Sequence, residues 1–185
     1  IGDDSRYVQH LSALQSSFAQ ARMNEAMIHS MLVVTPIGEF YPLTNARNTQ
    51  VKFEDTELYA QIVRAKRPVW VEAHEDRLFT DRERVLSLVL TEVSETPIED
   101  TYIVLNISED ALRKSVLANI NSPGKQFYLI GRDGRPVLRL GGENWEPQLR
   151  QPAFQDGIAE EQSYGSFDYT VDRQPYIVEY ARMSV

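Results

Sequence analysis

The sequence predicts an α+β chain: one long N-terminal helix followed by two small antiparallel-sheet modules in tandem, the second smaller than the first. Three observations predict it. Met31 to Tyr41 is an apolar run, a glycine turn and a second half-apolar run, and Phe127 to Val137 repeats that grammar at an offset of 96 residues between Gly38 and Gly134, about the size of one small sensor module. Tyr7, Leu11, Leu14, Phe18 and Ala21 recur at alternating steps of four and three, the spacing of a helical seam. Short runs rich in β-branched residues alternate with single amphipathic stretches, which is the rhythm of small mixed domains.

The elements follow in order. Residues 3–26 read as one helix, with Asp3 and Asp4 at its positive end and no proline within it. Its seam can pack on its own module or serve as a stalk or dimer contact. Met27 to Val34 reads as a strand interrupted only by His29 and Ser30, and Pro36-Ile37-Gly38 turns it into Glu39 to Leu43. After a polar stretch, Glu57, Leu58, Ile62 and Val63 mark a short helix that ends before Pro68. Val69 to Val71 is a strand and 73–83 reads as a charged loop. Val85 to Val93 and Tyr102 to Ile107 read as antiparallel neighbours. Ser108 caps a helix carrying Leu112, Val116, Leu117 and Ile120, which Pro123-Gly124 stops. A second hairpin turns at Asp133-Gly134. Pro147, Pro152 and Gly157 break up 141–162, and a last hairpin about Asp172 to Pro175 joins Tyr164 to Thr170 with Tyr176 to Met183. The border between modules is expected near Ile107, giving 1–107 and 108–185.

Composition narrows the functions. The chain is 42% hydrophobic and 25% charged, a globular balance, and 27 acidic against 19 basic residues leave a net charge of −8 that disfavours nucleic acid. Without cysteine there are no disulfides, thiol nucleophiles or thiolate metal sites. No apolar stretch is long enough to span a bilayer. Because it begins with Ile1 and lacks a signal sequence, the chain reads as a piece excised from something longer.

The order of elements and several phrases resemble the double Cache extracellular sensor domain of bacterial sensor histidine kinases of the Gram-positive, carbohydrate-linked type. The phrases are Trp70 to Phe79, Arg84 to Leu88, Tyr102 to Leu112, and Tyr128 to Val137 around Asp133-Gly134. The resemblance implies tandem PAS-like modules on the outer side of the cell membrane, sensing a small molecule, carbohydrates among them, or a solute-binding protein. It implies anchoring by flanking membrane helices, the N-terminal helix continuing the first, and no chemistry in this segment; the kinase part would lie elsewhere in the full protein, and a homodimer through the N-terminal helix is open on the seam alone. The first module is expected to carry the pocket and the second to lack its last strand. The same outer module would suit a membrane-spanning transcription regulator or a chemoreceptor. From another class, a secreted hydrolase or solute-binding protein is the alternative.

Candidate ligand-binding residues are Trp70, His74, Asp76, Tyr41, Tyr59 and Arg67. Trp70 can stack on a flat apolar face, while His74 and Asp76, with Glu75 between them, can orient hydroxyl groups. Against this, Trp70 can be core and 74–76 a solvated loop, and Tyr41 and Tyr59 can be half-buried sheet residues. Consecutive His74, Glu75 and Asp76 diverge too much to share a metal, and neither His10 nor His29 stands in a motif relation to them. No metal and no cofactor is expected, and no nucleophile elbow, phosphate loop or dinucleotide fingerprint is present. One subset of the family binds amino acids through an arginine and a tryptophan two residues apart; here Arg67 and Trp70 are three apart, which in a strand turns one of them to the other face. Asn106-Ile107-Ser108 fits a glycosylation acceptor, but Ser108 has work as a helix cap. Arg132, Arg135 and Arg139 read as a solvated hairpin tip.

Overall fold

The computed structural model describes residues 2–91, 100–119, 125–131, 134–141, 144–158 and 162–182, with the side chains of 2–11 and 119 not described. It divides into two units, Ile1–Lys125 and Gln126–Val185. The division falls after the helix that begins at Glu109, where the sequence suggested a border at Ile107. That helix packs on the two strands preceding it, so it belongs to the first core.

In the first unit, α1 (Gly2–Asn24) leads into β1 (Ile28–Thr35) and β2 (Gly38–Phe40). A 3-10 turn (Phe53–Asp55) precedes α2 (Glu57–Ala65), and β3 (Val69–Glu75), β4 (Arg84–Thr91), β5 (Tyr102–Ser108) and α3 (Glu109–Asn119) follow. The five strands form one antiparallel sheet in the order β2-β1-β5-β4-β3. Strand alternation gives the sheet two apolar faces. On one, Leu32, Val34, Val71, Val89 and Val104 pack with Phe53, Leu58, Ile62, Leu78 and Phe79 from α2 and its flanking segments. On the other, Met31, Val33 and Leu105 meet Leu14, Phe18 and Ala21 of α1, so this part of the seam is spent on the module itself. Tyr7 and Leu11 fall outside the described side chains.

The helix ends follow ordinary capping chemistry. The Thr56 hydroxyl accepts from the Tyr59 amide at 3.3 Å, and Lys66 closes α2 in the left-handed region at φ 52°. The Ser108 hydroxyl accepts from the Ala111 amide at 3.2 Å, as the sequence suggested. The reading of 73–83 as a loop needs correction at its start, because β3 continues through Glu75 beside β4.

The second unit contains the hairpin β6 (Phe127–Ile130) and β7 (Pro136–Leu140), two one-turn helices α4 (Glu146–Leu149) and α5 (Pro152–Gln155), and the hairpin β8 (Tyr164–Val171) and β9 (Gln174–Ala181). Among the described residues each hairpin is its own two-stranded sheet, so the second PAS-like sheet that the sequence suggested is not formed. Pro147 and Pro152 sit in the first turns of α4 and α5, where a missing N–H costs nothing. Trp145, Leu149 and Phe154 form the centre on which Tyr128, Phe167, Tyr169, Tyr176 and Val178 pack. The last turn is tighter than expected: only Asp172 and Arg173 lie outside the strands, and Gln174 and Pro175 are paired. Arg132, Asp133, Ile120, Pro123-Gly124 and Met183 lie outside the described residues.

Candidate functional site

The site begins with an irregularity in β3. Trp70 pairs with Leu88, but the register shifts between Val71 and His74, after which His74 pairs with Val85. Without the shift Trp70 and His74, four residues apart, would share a face. A bulge adds one residue and inverts the parity. Val69 and Val71 pack in the α2-side core, which sends Trp70 to the opposite face. His74 and Asp76 instead reach the α2 side. Trp70 therefore cannot act together with them on one ligand.

On the α2 side a polar row crosses the sheet. Ser30 on β1 pairs with Asn106 on β5, which pairs with Ser87 on β4, and His74 on β3 ends the row. Asp76 is 1% exposed and lies over the middle of it. Its carboxylate accepts from the Ser30 hydroxyl at 2.9 Å, the Asn106 amide at 2.7 Å and the Leu78 backbone N–H at 3.0 Å. The Asp76 backbone N–H donates to the Glu83 carbonyl at 2.8 Å. Asn106 also donates to Ser30 at 2.9 Å and accepts from Ser87. Neutral donors thus satisfy a buried carboxylate with no cation bonded to it among the described residues. His74 Nδ1 lies 2.8 Å from the Glu72 carbonyl, which can only accept, so Nδ1 carries the proton in the neutral ring and Nε2 faces Ser87 at 3.4 Å.

The remaining candidates disperse. Tyr41 borders the α2-side core with its ring edge-on to Phe79 at 6.2 Å. Tyr59 packs edge-on to Phe53 and Tyr102 at 5.5 and 5.6 Å. Burial first, then the adjacent Tyr59, raise the Tyr102 phenol above its ordinary value of 10.0. Arg67 is exposed ahead of β3. The structure brings His74 and Asp76 together, places Tyr41 and Tyr59 in the same core as packing residues, and keeps Trp70 and Arg67 apart from them.

Ser30, Ser87 and Asn106 were missed by sequence reading, although each is a polar residue inside an otherwise apolar strand. Arg47 was missed as well. Its side chain is 2% exposed, grips both Glu39 oxygens at 2.8 Å, and donates to the Asn48, Val51 and Leu78 carbonyls. It ties β2 to the segment that carries Asp76. Asn106 is 1% exposed, which removes it as a glycosylation acceptor.

The arrangement is a filled core with a satisfied polar seam. Leu32, Phe53, Phe79, Val85, Val89 and Val104 are fully buried on the α2 side. A surface hollow of about 480 Å³ lies instead between α1 and residues 42–44. No group of three or more potential metal ligands gathers among the described residues, and no described helix is long and apolar enough to cross a membrane.

No protein-family model matches the chain, and no curated protein matches it. Among solved structures it is similar to the ligand-binding domain of the Campylobacter jejuni chemoreceptor Tlp3, determined in complex with 4-methylisoleucine, with a TM-score of 0.50 and 11% identity. The likeness covers 90% of this chain and 65% of that one, so the chain spans just under two thirds of the solved domain. At this identity the likeness is one of fold. The five-stranded antiparallel sheet with small helices is consistent with the PAS-like expectation.

Proposed function

We propose that this chain is the extracytoplasmic sensing domain of a membrane-anchored two-component sensor histidine kinase. The observation that carries the sensing part is the fold likeness over 90% of the chain to a chemoreceptor ligand-binding domain. The kinase part rests on the phrases from Trp70 to Phe79 and Tyr102 to Leu112. In this reading residues 1–125 are the sensing module and 126–185 a curtailed second module that relays. The segment has no chemistry of its own; a small molecule or a solute-binding protein must bind one conformation more tightly than the other, by a few kcal/mol for a decisive switch. The α1 side chains Leu14, Phe18 and Ala21 lie on the sheet, so repacking of the sheet would be felt by the helix nearest the expected membrane anchor.

A chemoreceptor is the second reading, favoured by the identity of the solved neighbour. The two part at the output. The full-length protein in membranes is expected to take phosphate from ATP onto histidine, as an acid-labile, base-stable label. No label, together with control of a separate kinase, would establish the chemoreceptor instead. For sensing itself, a ligand at 100 times its Kd stabilises the domain by about 2.7 kcal/mol, which a thermal-shift panel of sugars, amino acids, carboxylates and purified solute-binding proteins will register. A panel without any shift would overturn the sensing role.

A further inference from the structure

The α2 side of the sheet is filled among the described residues, and the groove between α1 and residues 42–44 has the composition to take a small molecule. Its volume of about 480 Å³ suits a small organic ligand. Ile28, 9% exposed, and Pro42, also buried, line it, while Ala19 on α1 and Ala26 in the turn after it present only methyl groups to the hollow. Met23 and Leu43, both also lining the groove, are each 85% exposed, an unusual state for two large apolar side chains beside one concavity.

The loop side is fixed in place. Gln15 on α1 donates to the Tyr41 carbonyl at 2.8 Å and accepts from the Leu43 backbone N–H at 3.2 Å, so both ends of its amide hold the loop to the helix. Arg22 donates to the Thr44 hydroxyl at 2.7 Å, which orients a guanidinium with further N–H donors to spare. Among the described residues Arg22 is the one charged residue lining the groove, a cation on a chain of net charge −8. The guanidinium gives this hollow a local attraction for an anion.

We propose that the groove binds a small aliphatic carboxylate, its chain laid against Ile28 and Pro42 between Met23 and Leu43 and its carboxylate paired with Arg22. The assignment of this ligand as the signal rests on the sensing role proposed above; the site itself rests on the groove. Occupancy would cover both exposed side chains and clamp α1 to the loop after β2.

The test is calorimetric titration of residues 1–185 with 4-methylpentanoate, beside its uncharged amide. A saturable one-to-one heat is expected for the acid, with the amide at least about tenfold weaker. Arg22→Gln is expected to weaken the acid by a similar factor and to leave the amide unchanged. Leu43→Asp, at a solvent-exposed position that the fold does not need, should also weaken the acid by charge repulsion. No saturable heat at millimolar acid, equal binding of acid and amide, or full affinity in Arg22→Gln would overturn the site. Binding with the expected signatures but no response in autophosphorylation of the full-length protein, nor in control of a separate kinase, would keep the site and remove its assignment as the signal.

Discussion

Asn106 links more of the sheet's interior than any other side chain in the polar row. It holds Asp76, Ser30 and Ser87 together, and each of those is buried. Asn106→Ala removes a donor from a buried carboxylate and the acceptor from a buried hydroxyl, and is expected to cost about 2–4 kcal/mol in urea unfolding. A loss below about 1 kcal/mol would mean that water replaces the amide. Glu109 gives a different residue-scale expectation. Burial would raise its carboxyl, but the hydrogen bonds and charges of Arg84 and Arg113, each at 2.8 Å, outweigh that and bring it below its ordinary value of 4.5. A depressed carboxyl stabilises the fold above its unfolded value and loses that contribution as the pH falls through the folded one. Glu109→Gln should therefore cost about 1 kcal/mol at pH 7, since both arginines are largely solvated, and the deficit should close as the pH falls below 4.5. A deficit of the same size on both sides of that range would assign Glu109 a packing role.

At the scale of elements the bulge in β3 decides which face each candidate residue takes. Deleting Ala73 would remove the inserted residue and leave Val71 and His74 two apart, so that Val69, Val71, His74 and Asp76 all keep the α2 face by simple alternation. The deletion variant is expected to keep a cooperative unfolding transition in circular dichroism, whereas loss of that transition would show that the bulge itself is needed to seat Asp76 over the polar row. The strands themselves were legible: apolar β-branched runs gave β1, β4, β5 and both outer hairpins, because burial on at least one face is written in residue type. The bulge was not, since nothing in Glu72-Ala73 distinguishes an inserted residue from an ordinary one. Hence His74 and Asp76 were found as candidates while their separation from Trp70 was hidden. The partners of Asp76 were visible only as isolated serine and asparagine residues within apolar runs, and long-range pairing alone reveals that they share one row. The last hairpin offers a simpler test. Asp172 and Arg173 both take positive φ, 51° and 68°, in a two-residue turn that favours Asn-Gly. Arg173→Gly should stabilise this hairpin by about 0.5–1 kcal/mol, seen as slower amide exchange in β8 and β9; faster exchange would mean that the arginine makes a compensating contact.

The molecule as a whole joins two very different ways of building a core. Residues 1–125 bury aliphatic side chains on both faces of a five-stranded sheet and add a polar row that fixes its register. Residues 126–185 have two separate hairpins, and a two-stranded hairpin is marginal in water unless its apolar face is covered. Here the cover is aromatic. Trp145 meets Tyr176 edge-on at 4.6 Å, and Phe154 meets Phe167 and Tyr169 at 5.3 and 5.1 Å. Gly157 is required by this packing, because a Cβ there would stand 2.5 Å from the Phe167 ring. Trp145→Ala removes the largest side chain of the cluster and should cost about 3–5 kcal/mol, comparable to the whole stability of a unit of this size. The loss is therefore expected as local unfolding. In hydrogen exchange followed by mass spectrometry, β8 and β9 should lose protection while β4 and β5, whose core is made within residues 1–125, keep theirs. Protection lost in all four strands together would show that the two cores unfold as one, and protection kept in all four would show that the hairpins do not depend on the tryptophan.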